Sequence, residues 1–176
     1  PCDEKTMVDT NQTAAAVQAL TALGGHDAVT AKAVGWLKSV QNEDGGWGYT
    51  AGGATDANST SVVIGALAAA GERPAEVEKD GASPYDALLG LALPCEGDGA
   101  GAFAFQPGKK GELAADTDAT AAGVLGALGA GLVVEEDLGL QRRLRAHQAR
   151  HHLDLAQAGL PGAVIDHAPL GRDQIA

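Results

Sequence analysis

The chain has 176 residues, of which 45% are hydrophobic, 25 are glycine and 3% are aromatic, and its formal net charge is −11. That length fits one domain with a core of its own, and the acidic balance excludes the basic footprint that nucleic acid and anionic membrane surfaces require. No run approaches the roughly 18 uninterrupted apolar residues of a membrane span, and no signal peptide is recognised.

Taken in chain order, Asp9-Thr10-Asn11-Gln12-Thr13 opens an alanine-rich run that ends at Gly24. Asp, Asn and Thr ahead of such a run are helix-start signals, because their oxygens accept from backbone amides without an intrahelical partner. Ala16, Leu20 and Leu23 then recur at helical spacing, and Gly24 reads as the stop. A second helix is predicted over about 29–40, followed by a polar, glycine-rich turn from Gln41 to Tyr49. Asp56-Ala57-Asn58-Ser59-Thr60 repeats the start, Val63, Ala66, Leu67 and Ala70 repeat the stripe, and Gly71 repeats the stop. The second helix of this unit is predicted over 85–93, and Gly101-Ala102-Phe103-Ala104-Phe105 stands where Gly45-Gly46-Trp47-Gly48-Tyr49 stood. A third start lies at Asp116-Thr117-Asp118-Ala119-Thr120 and its helix runs to Leu128. The starts are 47 and 60 residues apart, so the repeat is irregular in its loops. Internal repetition of this kind changes the meaning of every residue within it.

The chain then changes character. All six aromatics precede residue 106, and four of the five histidines follow residue 146. Through Leu138 the net charge is −13, and beyond it +2. We therefore divide the chain into hairpin repeats over 1–137 and a divergent basic tail over 138–176, helical over about 138–158 and irregular after Gly159. The tail reads equally as a linker, a divergent unit or sequence unrelated to the body.

Lys32, Ala33, Trp36, Leu37, Gln41, Gly45 and Trp47 stand in the order basic, small, aromatic, Leu, Gln, Gly, Trp. This resembles the QW motif of the squalene cyclase and protein prenyltransferase repeat family, with a second copy at 101–105 that keeps aromatics but lacks the Gln and Trp. The resemblance covers about residues 7–130. It implies an all-α fold of helical hairpins forming an α/α toroid with inner and outer rings, in which the Gln ties the end of one helix and the Trp stacks on it. A complete toroid needs more than three hairpins, and the chain begins at Pro1, so units are expected to be missing at one or both ends. An uncapped end of a repeat array exposes an apolar face.

Several constellations could carry chemistry. Asp116-Thr117-Asp118-Ala119-Thr120-Ala121 is similar to the DxDDTA signature of class II terpene cyclases, which implies Asp118 as the general acid that protonates an alkene and Asp116 as its support. Ala119 replaces the last aspartate, which would tune the acid, and the same form recurs at Asp9 and Asp56, so capping is the reading preferred here. Stabilising carbocations also needs aromatic faces, and six aromatics, two of them in the turn motif, are few. Cys2 and Cys95 do not match a prenyltransferase zinc pattern. His147 and His151 lie four apart in an Arg-rich segment and are read as a solvated face. A calcium loop at Asp56 fails at Ser61 and Leu67, and no thioester signature is present. No metal or cofactor is expected.

What remains is binding. Tyr49, Tyr85, Phe103 and Phe105 are the candidate ligand or interface residues, with packing between repeats as their alternative role. Cys2 and Cys95 allow at most one bridge, and sequence does not say whether they pair. Low lysine, abundant alanine and glycine and two loop cysteines point to an extracellular or cell-surface protein of a GC-rich bacterium. The expectation is a non-catalytic secreted module that binds a small ligand or protein partner, with a cyclase fragment as the alternative.

Overall fold

In a computed structural model, which describes residues 8–129, three helices begin with one device. Asp9, Asp56 and Asp116 lie in extended backbone, and each carboxylate accepts the amide three residues on: Gln12 at 2.7 Å, Ser59 at 2.6 Å and Ala119 at 2.7 Å. This satisfies one of the orphan donors of each first turn and stabilises each start by about 1 kcal/mol. The helices are α1 (Thr10–Leu23), α2 (Asp27–Ser39), α3 (Ala57–Ala69), α4 (Pro84–Leu89) and α5 (Thr117–Ala127), with a short 3₁₀ turn at Pro74–Glu76. The described residues are all-α, with isolated bridges in place of strands.

The stops behave as the sequence predicts. Gly24 has φ +71° and its amide donates to Leu20. Gly71 has φ +83°, and the amide of Glu72 reaches back to the carbonyl of Leu67 at 3.0 Å, closing the end of α3 in a Schellman arrangement. The second hairpin departs from expectation. Its outer helix was predicted over 85–93, yet α4 opens on a Ser83–Asp86 capping box and ends at Leu89. Residues 91–93 are instead drawn into pairing with the following turn: Ala104 donates to Leu91 and Leu93 to Ala102, both at 2.8 Å. Long-range backbone bonds replace the helical ones that the local pattern favours.

α1, α3 and α5 pack side by side, α2 packs on α1 and α3, and α4 packs on α3 and α5. Counted from its capping Asp, α1 buries positions 1, 5, 8 and 9, namely Thr10, Ala14, Val17 and Gln18. The buried residues of α5 are Ala119, Gly123 and Gly126, at positions 3, 7 and 10. Between them α3 buries both sets, with Ala57, Ser61 and Ile64 on one side and Ser59, Val63 and Ala66 on the other. One core joins Val17 of α1 to Val63, Ala66 and Leu67 of α3, with Leu37 and Trp47. A second joins Ala57 and Ile64 of α3 to Ala119 of α5, with Leu88 and Leu91. Glycine lets α5 come close: a Cβ on Gly126 would lie 2.6 Å from the Ser61 hydroxyl. Each fully buried Leu, Ile or Val contributes about 1.5–3 kcal/mol.

Candidate functional site

The glycine-rich turns between hairpins hold the row together. The amide of Trp47 donates to the hydroxyl of Thr60 at 3.1 Å, and the amide of Asp56 donates back to the Trp47 carbonyl at 3.0 Å. The next unit repeats this: Phe103 donates to Thr120 at 3.0 Å, and Asp116 donates to the Phe103 carbonyl at 3.0 Å. Two residues further on, each turn grips the preceding helix. Thr10 donates its amide to Tyr49 at 2.9 Å, and Ala57 donates to Phe105 at 3.0 Å. The repeated threonine is therefore a clasp for the turn, and the repeated Asp is a cap.

Gln41 and Trp47 divide their work differently from what the family resemblance implies. The indole N–H of Trp47, fully buried, donates to the Leu37 carbonyl at 2.8 Å, so it is the Trp that ties down the end of α2. Gln41 Nε2 donates instead to Gly45 at 2.8 Å and to Val77 at 3.0 Å, clipping the turn to the loop after α3. Gly45 has φ +84°, and a Cβ there would collide with the Ser83 carbonyl, so the motif's glycine is a steric requirement. Trp36 packs half-buried against the first core, and Lys32 is exposed.

Of the two candidate acids, Asp118 lines no cavity, whereas Asp116 stands in the wall of an apolar depression beside α5. Asp116 is engaged with the Ala119 amide, and Asp118 is exposed in the first turn of α5 with no hydrogen-bond partner among the described residues. Asp9 and Asp56 are both buried, and at Asp56 burial raises the pKa above 3.8 against the opposing bonds from the Ser59 amide and hydroxyl. Both its oxygens are occupied by Ser59, so it is a cap as well. Sequence reading placed Asp56 with the other caps, and its desolvation becomes visible only because α3 is covered on both sides.

The four aromatic candidates separate. Tyr85 and Phe103 pack on the second core, while Tyr49 and Phe105 are 52% and 43% exposed. None of the four lines the apolar depression of about 680 Å³ on the outer side of α5, whose walls include Ala102, Thr117, Ala121, Val124 and Leu125. The sequence reading did not single out Val124 and Leu125. Their signal was a helix in which apolar residues occupy every face. Cys95 is an exposed free thiol; Cys2, His147, His151 and the tail over 138–176 lie outside the described residues. Among the described residues, no group of three or more His, Cys, Asp or Glu could hold a metal, and no helix is long and apolar enough to cross a membrane.

Residues 8–81, holding the first two capped helix starts and the Gln41–Trp47 turn, match the family model of the squalene-hopene cyclase C-terminal domain. Over these residues the chain is similar to the squalene cyclase and prenyltransferase-like repeat family. Its repeats are of the type that builds α/α toroids, and the segment is terpene-cyclase-like in fold. The match ends before Asp116-Thr117-Asp118, so the cyclase-like signature lies beyond the matched residues. No curated protein and no solved structure matches the chain.

Proposed function

We propose that this chain is a non-catalytic, secreted bacterial repeat module that binds an apolar small ligand or protein partner. The observation that carries the reading is the open apolar face of α5, where Val124 and Leu125 remain 47% and 44% exposed around a depression with almost no polar wall. Apolar surface of this kind on an acidic protein favours association over solvation. Extracellular placement rests on the composition and cysteine usage set out above.

The family match favours one other reading, a fragment of a class II terpene cyclase with Asp118 as general acid and Asp116 as its support. Protonating an alkene requires a carboxylic acid held neutral in a dry, apolar pocket. An exposed Asp118 and a capping Asp116 argue against it. Two assays separate the readings. Titration with a neutral, environment-sensitive dye such as Nile red should show saturable binding that Leu125→Glu abolishes. Incubation with squalene should give no cyclised product by mass spectrometry. A cyclised product that disappears in Asp118→Asn would replace the binding reading with the catalytic one.

A further inference from the structure

The two ends of the helix row are complementary. α1 buries its positions 1, 5, 8 and 9, and α3 buries the equivalent set; in α5 positions 3 and 10, Ala119 and Gly126, receive α3, while position 7, Gly123, lies against the Phe103 ring. At the far end, α5 presents Thr117, Ala121, Val124 and Leu125, its own positions 1, 5, 8 and 9, to solvent. At the near end, α1 exposes Gln12, Ala16 and Ala19, its own positions 3, 7 and 10. The α1 face carries no charge, and on the α5 side the acids Asp116 and Asp118 are confined to the start of the helix, where the Asp116 carboxylate accepts from the Ala119 amide. The rim agrees as well. In α1 the amide of Thr10 bonds to the turn that leads into α3, whereas the equivalent amide of Thr117 has no acceptor among the described residues. It remains available to carbonyls leading into a docked helix.

From this register we infer that the partner of the α5 face is a second copy of this chain, docked through the small-residue face of its α1. The proposal rests on the binding reading above and names the partner of that same face. The contact continues the α1–α3 and α3–α5 interfaces and uses two different surfaces, so it is heterologous: copies add head to tail and either close into a ring or extend. Val124 and Leu125 sit against Ala16 and Ala19 of the next copy, as Val17 sits against the Val63 and Ala66 side of α3.

Sedimentation velocity of the full chain from micromolar to millimolar concentration tests this. The wild type should shift to larger species as concentration rises. Leu125→Glu disables the α5 face and Ala19→Glu disables the α1 face. Each alone should weaken association by about tenfold or more, since a charge buried without a partner is costly. Mixed one to one, they retain one good pair of faces and should form a dimer that grows no further. Both positions are exposed, and circular dichroism checks the fold; should either charge unfold the chain, Ala121→Gln and Ala16→Gln block the same faces by bulk. A wild type that stays monomeric throughout overturns the proposal, as does association unaffected by either variant or a mixture that fails to pair. If the chain is monomeric yet still binds Nile red at Leu125, the self-docking inference falls while the apolar-binding reading stands. If neither occurs, both fall.

Discussion

The indole Nε1 of Trp47 donates a 2.8 Å hydrogen bond to the carbonyl of Leu37, so a residue in the turn closes the last turn of the helix that precedes it. Both residues are fully buried, which joins the helix end, the glycine turn and the first core in one place. Trp47→Ala removes a large buried ring and should lower unfolding free energy by about 3–5 kcal/mol. Trp47→Phe keeps most of the volume and loses mainly the hydrogen bond, about 1 kcal/mol in its own right. Urea unfolding followed by far-ultraviolet circular dichroism distinguishes them; equal effects would show that the bond itself is immaterial.

Gln41 supplies both donors that join Gly45 to Val77. Gln41→Ala leaves two buried carbonyls without that partner and should cost about 2 kcal/mol or more. Gln41→Glu should cost still more at neutral pH, because a carboxylate then faces the same two carbonyl oxygens. Thermal midpoints of the two variants give the order, and a glutamate variant as stable as wild type contradicts the clip.

Asp116 and Asp118 are two residues apart and should behave oppositely. Asp116→Ala removes a cap and should destabilise by about 1 kcal/mol. Asp118→Ala, at an exposed position, should change stability by less than about 0.5 kcal/mol. Unfolding curves measured side by side decide this, and a large effect at Asp118 would mean that its carboxylate has a structural partner.

Asp56 makes a prediction in pH. Burial raises its carboxyl above 3.8, so the folded chain holds this proton more tightly than the unfolded one. Its contribution is complete below pH 3.8 and is lost as pH rises through the folded value. Asp56→Asn keeps an oxygen for the Ser59 amide and removes the titration. The stability of the variant relative to wild type should therefore increase from pH 3.8 towards neutrality and then level off. Urea midpoints across that range provide the test. A relative stability that falls with pH would show that the Ser59 bonds outweigh desolvation.

Clasping by threonine should be equivalent in the two units. Thr60→Val and Thr120→Val each leave an aromatic residue's amide without its acceptor, at a cost of about 1–3 kcal/mol where the site is buried. The penalty should be larger at Thr60, which is fully buried, than at the half-exposed Thr120. The reverse order, read from denaturant midpoints, would refute the repeat equivalence.

What this sequence determined by itself is local. Asp9, Asp56 and Asp116 announce helices because a cap involves residues three apart, and Gly24 and Gly71 announce ends because only the backbone beside them must turn. The order of Gln41, Gly45 and Trp47 is local too, since the turn admits no side chain at Gly45. Tertiary structure decided what local chemistry does not encode. An alanine-rich helix is apolar on every side, so nothing in 117–127 shows which face meets α3 and which is left open; only the neighbouring helix over Gly126 and the Phe103 ring over Gly123 separate these from Val124 and Leu125. The same holds for α4, whose last expected residues are taken by bonds to 102–104, and for Trp47, whose acceptor lies ten residues back on another element. Contacts distant in sequence compete with local preference, and their outcome depends on which surfaces the packed row brings together.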